Sequence, residues 1–302
     1  MNTSLSPSWR LAQIGATRVP LGLVVAAVLL LPHDVAAAIT PVDYGTASSF
    51  SILAGTGISN TGSGTTIGGD VGLSPTTGAA ITGLLTTQVG GTIFAVNASG
   101  PAGPAGNNPG LLTTAKNDFG TAYTTAAGET PFTNLGQQLG GLTLTPGVYR
   151  LPDTALLTGT LTLDANSVVN PFWIFQGTSD LVTAVDSSVA LIGATPCDVL
   201  WQIPTQATLG SSSDFVGTLM AGTSIVMGTG ATLEGRAWAE AAITLQDNTI
   251  TGLPCTSLGD VGGNGGGTGG GASVPDGGST LLLLGGGLAA LLGLGRRFLS
   301  PA

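Results

Sequence analysis

Few side chains in this chain suit bond-breaking chemistry. His33 is the single histidine and falls within the first 38 residues. Between 39 and 258, therefore, no Ser-His-Asp or Cys-His arrangement and no histidine-containing zinc set can be assembled. Lys116, Arg150 and Arg236 are the only basic residues there, and they are spread singly. Two carboxylates can flank a glycosidic bond, and Asp164 with Asp186 is the pair to weigh for that role. Their places in neighbouring repeats suit turn residues better. The reading is of a protein without catalysis, metal or cofactor. The stretch "GGNGGGTGGG" lacks the regularly placed aspartates of a calcium-binding nonapeptide repeat and reads as a flexible linker.

Hydroxyl and amide side chains are what remains, and they recur. Thr61, Thr65 and Thr66 stand in "NTGSGTT", Ser211 and Ser213 in "SSSD", Thr229 and Thr232 in "TGAT", and Asn248 and Thr249 in "QDNT". On a regular scaffold such groups form a grid in which methyls confine water and hydroxyls hold it. Asp214, one repeat before Thr232, interrupts the series.

The scaffold is legible as a repeat. Residues 207–223, 224–241 and 242–252 share a short apolar strand and a small polar segment, recurring about every 17 to 18 residues. Residues 161–179 and 181–203 repeat the theme less regularly, and 49–78 echoes it near the N-terminus. This length is too short for helical hairpins and suits one coil of a parallel β-solenoid, in which each coil buries apolar side chains against its neighbours. Alternation places Leu161 and Leu163 inward and Thr160 and Thr162 outward. An antiparallel sandwich would alternate likewise but leaves the spacing unexplained. Leu233 is the expected inward anchor of "GTGATLEG", with Gly230 and Ala231 keeping its surface low, and Trp173, Trp201 and Trp238 are expected in the core or against a helix.

Residues 107–129 break the β pattern. Asn108 is an N-cap and Pro109 a first helical residue; Leu112, Ala115, Phe119, Ala122, Tyr123 and Ala126 follow at helical spacing before Gly128. The helix should cover one apolar side of the solenoid. Lys116 and Asp118 are expected on its solvated face.

Residues 1–38, with Arg10, Arg18 and the run "PLGLVVAAVLLLP", read as a secretory leader. Export makes pairing of Cys197 with Cys255 the expected state. After a Gly-rich linker at 259–273, residues 274–302 join "VPDGGST" to a short apolar segment and Arg296–Arg297. This tail resembles the PEP-CTERM sorting signal of Gram-negative bacteria, with Val274, Pro275 and Asp276 where that family has Pro-Glu-Pro. The resemblance implies an exosortase-type processing enzyme as a partner and membrane contact through the tail alone. The net charge of −9, with 8% charged residues, argues against nucleic acid or an anionic membrane surface.

The blocks "SFSILAGTGISNTGSGTTIGGDVGLSP", "GGTIFAVN", "LGGLTLTPGVYRL", "LTGTLTLDA", "FWIFQ", "VLWQI", "ATLGSSSDFVGTLMA" and "GATLEGRAWAEAAITLQDNTI", taken in order, resemble the microbial ice-binding protein family. The resemblance covers nearly all of 45–252. It implies a mainly β fold: a discontinuous, right-handed, parallel β-solenoid of triangular section with a long helix packed alongside. It also implies a monomer that adsorbs to the surface of an ice crystal through a flat Thr/Ser face. "TGAT" fits the family's threonine motif, whereas "SSSD" departs from it. A non-catalytic structural or adhesive module of the extracellular matrix, with the same fold, is the alternative.

Overall fold

The computed structural model describes residues 42–252 and 254–258. The leader expected at 1–38, the linker at 259–273 and the tail at 274–302, with Val274, Pro275, Asp276, Arg296 and Arg297, lie outside the described residues. Every pairing between named strands is parallel, in a 14-stranded and a 7-stranded sheet. The chain is a parallel β-solenoid, not a sandwich.

Three faces result because the larger sheet folds over on itself. Asp214–Ala221 and Thr232–Ala239 pair along their whole lengths yet belong to two faces. Their N-terminal halves carry Asp214 and Thr232 on an open face, and their C-terminal halves join a second face beside the helix. The bend falls at Gly217 and Gly235, with φ of +109° and +153°. Side chains rarely accept such angles. The third face is the seven-stranded sheet, built from short strands such as Leu181–Thr183, Ala207–Leu209 and Ile225–Met227, each pointing its outer residues inward and its middle one outward.

The corner between the open face and the seven-stranded face is set by one repeated conformation. Asp186, Ser212, Gly230 and Asp247, each two residues before a register-matched strand position, have φ of +56°, +55°, +70° and +50°. Asp, Ser and Gly tolerate the left-handed region because a short polar side chain bonds locally or none obstructs. Asp186 is thus a turn residue. Asp164 also closes a turn, accepting the Asn166 amide at 2.8 Å.

The coils are not stacked in chain order. Phe50–Ala54 lies between Asp70–Leu73 and Thr232–Ala239, so the first coils sit on the last one. The helix, Pro109–Gly128, connects the two series. Its N-cap forms as expected, with the Asn108 carboxamide oxygen accepting the Leu111 amide at 3.1 Å. Leu112, Ala115, Phe119, Ala122 and Ala126 are buried with Phe50, Leu53, Ile174, Leu200, Met220 and Trp238. Each large side chain sealed there contributes about 1.5 to 3 kcal/mol. The solenoid interior is a second core, in which Tyr149, Phe175, Trp201 and Phe215 stack with successive ring centroids 5.7, 3.9 and 4.8 Å apart. Trp173 and Trp201 lie inside the solenoid and Trp238 beneath the helix, while Leu161, Leu163 and Leu233 point inward as alternation requires.

Lys116 and Asp118 correct the expectation of a solvated helix face. Lys116 bonds Glu240 at 3.0 Å and the Ala239 carbonyl at 3.3 Å, and its ammonium lies 4.7 Å from the Phe119 ring centroid. Burial lowers its pKa, opposed by Glu240. Asp118 accepts the Thr46 amide at 2.7 Å. Both fasten the helix to the solenoid, and neither partner is near in sequence.

Cys197 and Cys255 are joined in a disulfide. Around it, Arg236 donates to the carbonyls of Cys255 and Ser48 at 2.6 and 3.2 Å. The two ends of the domain meet in antiparallel fashion, Tyr44 donating to Thr256 and Leu258 to Val42. Asp198 is buried beside the bridge, and burial raises its pKa against the hydrogen bonds from Thr195. Burial likewise raises Tyr44 to about 12.

Candidate functional site

Parallel strands about 4.8 Å apart repeat any outward side chain at that interval. On the open face one register position runs Thr66, Thr249, Thr232, Asp214, Ser188 and Thr160. Cross-strand bonds tie it in pairs: Thr66 to Thr249 at 3.4 Å, Thr232 to Asp214 at 2.8 Å, and Thr160 with Ser188 at 2.8 Å. Such contacts fix χ1 of residues already stiff by branching at Cβ. The result is a rigid line of hydroxyls and methyls.

The line has two irregularities. Asp214 points outward and is exposed, and its carboxylate accepts the hydroxyl of Thr232. Glu234, two residues beyond Thr232, is exposed on the same face. The strand Ser188–Ile192 meets Asp214–Ala221 only at Ser188 and Asp214. The face is therefore continuous from Asp214 to Thr66 and steps at Ser188.

Thr229 is exposed at the tip of the corner and Ser211 is half-buried at the equivalent tip one coil earlier. Thr61 is exposed, with its hydroxyl 3.5 Å from the Leu245 carbonyl. Thr65, Ser213 and Asn248 are a correction: they are 1%, 1% and 0% exposed and cannot touch an external surface. They occupy the inward position of the corner together with Ser187 and Ala231, so Ala231 lines the core instead of lowering the outer surface. Corner backbone pairs from coil to coil, the Asp186, Ser212 and Gly230 amides donating to the Ser211, Thr229 and Gln246 carbonyls, and small polar side chains add bonds from inside. Ser187 and Ser213 each donate to the carbonyl three residues back, at 2.8 and 2.7 Å. Ala231 has no side-chain donor, and Asn248 in the next coil supplies it, reaching the Gly228 and Ala231 carbonyls at 2.7 and 3.1 Å. Thr65 accepts the Asn248 amide and donates to Asn60. Replacing Asn248 with alanine should lower stability by about 2 kcal/mol, since the Gly228 and Ala231 carbonyls each lose one donor and the Gln246 amide loses its side-chain acceptor. Denaturant unfolding would read that loss, while the surface activity of the folded protein should be unchanged.

The seven-stranded face holds what the sequence reading missed. Its middle positions run Leu156, Val182, Thr208, Val226, Thr244, Ser59 and Thr82, and none carries a charge. Most come from strands of two or three residues, too short to show alternation. Asp180 lies at the margin, where the Thr205 hydroxyl and the Gln206 amide lower its pKa.

Among the described residues no group of three or more His, Cys, Asp or Glu is placed to hold a metal. No described helix is long and apolar enough to cross a membrane.

Residues 52–251 match the family model described as ice-binding-like, and residues 273–298 match the VPDSG-CTERM motif. That motif accounts for the Val-Pro-Asp at 274–276. The chain is 42% identical over 215 residues to an ice-binding protein of Flavobacterium frigoris, covering 70% of this chain and 76% of that one. An ice-binding protein of a Colwellia species is 38% identical over 213 residues, covering 69% and 83%. Among solved structures, an ice-binding protein from an Antarctic biological consortium superposes with a TM-score of 0.63 at 35% identity, over 70% of this chain and 90% of that one.

Proposed function

The chain belongs to the ice-binding-like family, and we propose that it adsorbs to ice through the open face of its solenoid. The observation that carries this reading is the register-matched line of Thr66, Thr249, Thr232, Ser188 and Thr160 on an uncovered parallel sheet. Its hydroxyls are held across strands, Thr66 with Thr249, Thr160 with Ser188 and Thr232 on the Asp214 carboxylate, so they need not be ordered when water freezes against them. Thr229, Ser211 and Thr61 extend the surface around the corner. Thr65, Ser213 and Asn248 support it from inside.

The domain from 39 to 258 acts as a monomer, without catalysis. The leader-like N-terminus and the sorting motif at 273–298 support export to the surface of a Gram-negative cell, with an exosortase-type enzyme acting on the tail and membrane contact confined to it. The exposed carboxylates of Asp214 and Glu234 favour a second reading, a matrix-adhesive module with no affinity for ice.

Growth of ice grains held just below melting separates the two. The adsorption reading expects micromolar protein to arrest coarsening. Thr232→Lys should weaken the arrest severalfold without changing the melting temperature of the protein, and Thr244→Lys on the seven-stranded face should leave the arrest intact. Coarsening as fast as in buffer alone would leave the adhesive reading.

A further inference from the structure

We propose that this domain bears mechanical load between ice and its own C-terminal tail, and that the Cys197–Cys255 disulfide is where the load enters the fold. The inference rests on the ice-adsorption reading above. Residues 259–302 continue from Leu258, and Cys255 stands just inside that exit. Tension on the tail therefore meets the short pairing of 256–258 with 42–44 and then the bridge, before it reaches Thr249–Ile250.

Without the bridge, tension would pass from Gly252 into Thr249–Ile250 and peel the last coil. Parallel strands pulled from one end give way a pair at a time, which is the weak direction of a sheet. That coil is interior. Thr249–Ile250 pairs with both Thr232–Ala239 and Thr66–Ile67, and Ala242–Leu245 with both Ile225–Met227 and Gly57–Asn60. Peeling it would separate the first coils from the rest, remove Thr249 from the proposed ice face and part Thr66 from Thr232.

The bridge closes a loop with a sequence separation of 58 that contains Ile225–Met227, Thr232–Ala239, Ala242–Leu245 and Thr249–Ile250. Its other end, Cys197, lies immediately before Val199–Ile203, which is held between Trp173–Gly177 and Asp214–Ala221. Load arriving there must displace a whole closed loop. The Arg236 guanidinium, bonded to the Cys255 and Ser48 carbonyls, and the antiparallel pairing of Tyr44 and Val42 with Thr256 and Leu258, brace the same point. Adsorption in free solution needs none of this; attachment through the tail does.

The test uses the full chain on beads, attached through Ala302, brought to an ice surface and sheared. Wild type is compared with a Cys197→Ser/Cys255→Ser variant, and both are also attached through a bioorthogonal side chain in place of exposed Val169, which lies outside the closed loop and away from the paired ends. Cys197→Ala/Cys255→Val, with apolar groups in place of the buried sulfurs, replaces the serine variant if that one does not fold. Expected are equal arrest of grain coarsening without load, roughly tenfold faster detachment of the variant under tail load, and equal detachment of the two proteins attached at position 169. Equal detachment under tail load would overturn the inference. A loss of similar size with either attachment, or already without load, would also overturn it, since the bond would then be a general stabiliser. Wild-type protein that neither stays on ice nor slows coarsening would overturn the adsorption reading and this one with it.

Discussion

Replacing Gly235 with valine will abolish folding of the domain. At φ of +153°, a residue with a side chain is strained before any contact is made. A Cβ at this position would also lie 1.9 Å from the Gly217 carbonyl oxygen, an atom of the neighbouring backbone that cannot step aside. Relief requires parting Asp214–Ala221 from Thr232–Ala239, the two strands that carry the larger sheet around its corner. Strain of about 1 to 3 kcal/mol from the dihedral alone, with the lost pairing added, is a large part of the 5 to 15 kcal/mol that holds a domain together. Circular dichroism of the variant should show no cooperative melt. A cooperative melt near that of the wild type would mean that the corner is built differently.

Trp201→Ala should be the most damaging change within the solenoid core that leaves a folded protein. The indole is fully buried, stacks on Phe175 at 3.9 Å and donates to the Val216 carbonyl at 2.9 Å. Its removal leaves a cavity in the aromatic stack and a carbonyl without its donor, costing about 3 to 5 kcal/mol. Thermal unfolding should shift down by roughly 10 °C or more. A shift of a degree or two would show that the coils above and below close over the space.

The fold was readable where local signals act alone. Asn108, Pro109 and the apolar spacing that follows are enough to locate the helix, and the recurrence through Asp214, Thr232 and Thr249 marks register neighbours. The stacking of the first coils on the last was only suggested by an echo in the sequence, because that pairing joins residues far apart in the chain. Lys116 shows the same limit: its partner Glu240 is brought near only by the docking of the helix.

The site was half legible. Exposed Thr66, Thr229 and Thr249 and half-buried Thr232 face outward, whereas Thr65, Ser213 and Asn248, of the same residue types, turn inward. The cause is adjacency. Alternation with period two runs from the corner into the strand, so Asn248 faces in between Asp247 and Thr249, and Ser213 between Ser212 and Asp214. Two neighbouring residues such as Thr65 and Thr66 cannot both face outward, and that was the signal from which the inward one could have been recognised. The uncharged face from Leu156 to Thr82 left a fainter mark, since most of its strands are two or three residues long and show one outward residue each.

The central claim is that this surface joins the ice lattice, and uptake into a slowly growing single crystal tests it most directly. Fluorescently labelled full-length protein should be enriched in the ice relative to the liquid and should stay there as the crystal grows. Exclusion of the label into the liquid, as for an ordinary solute, would contradict the account.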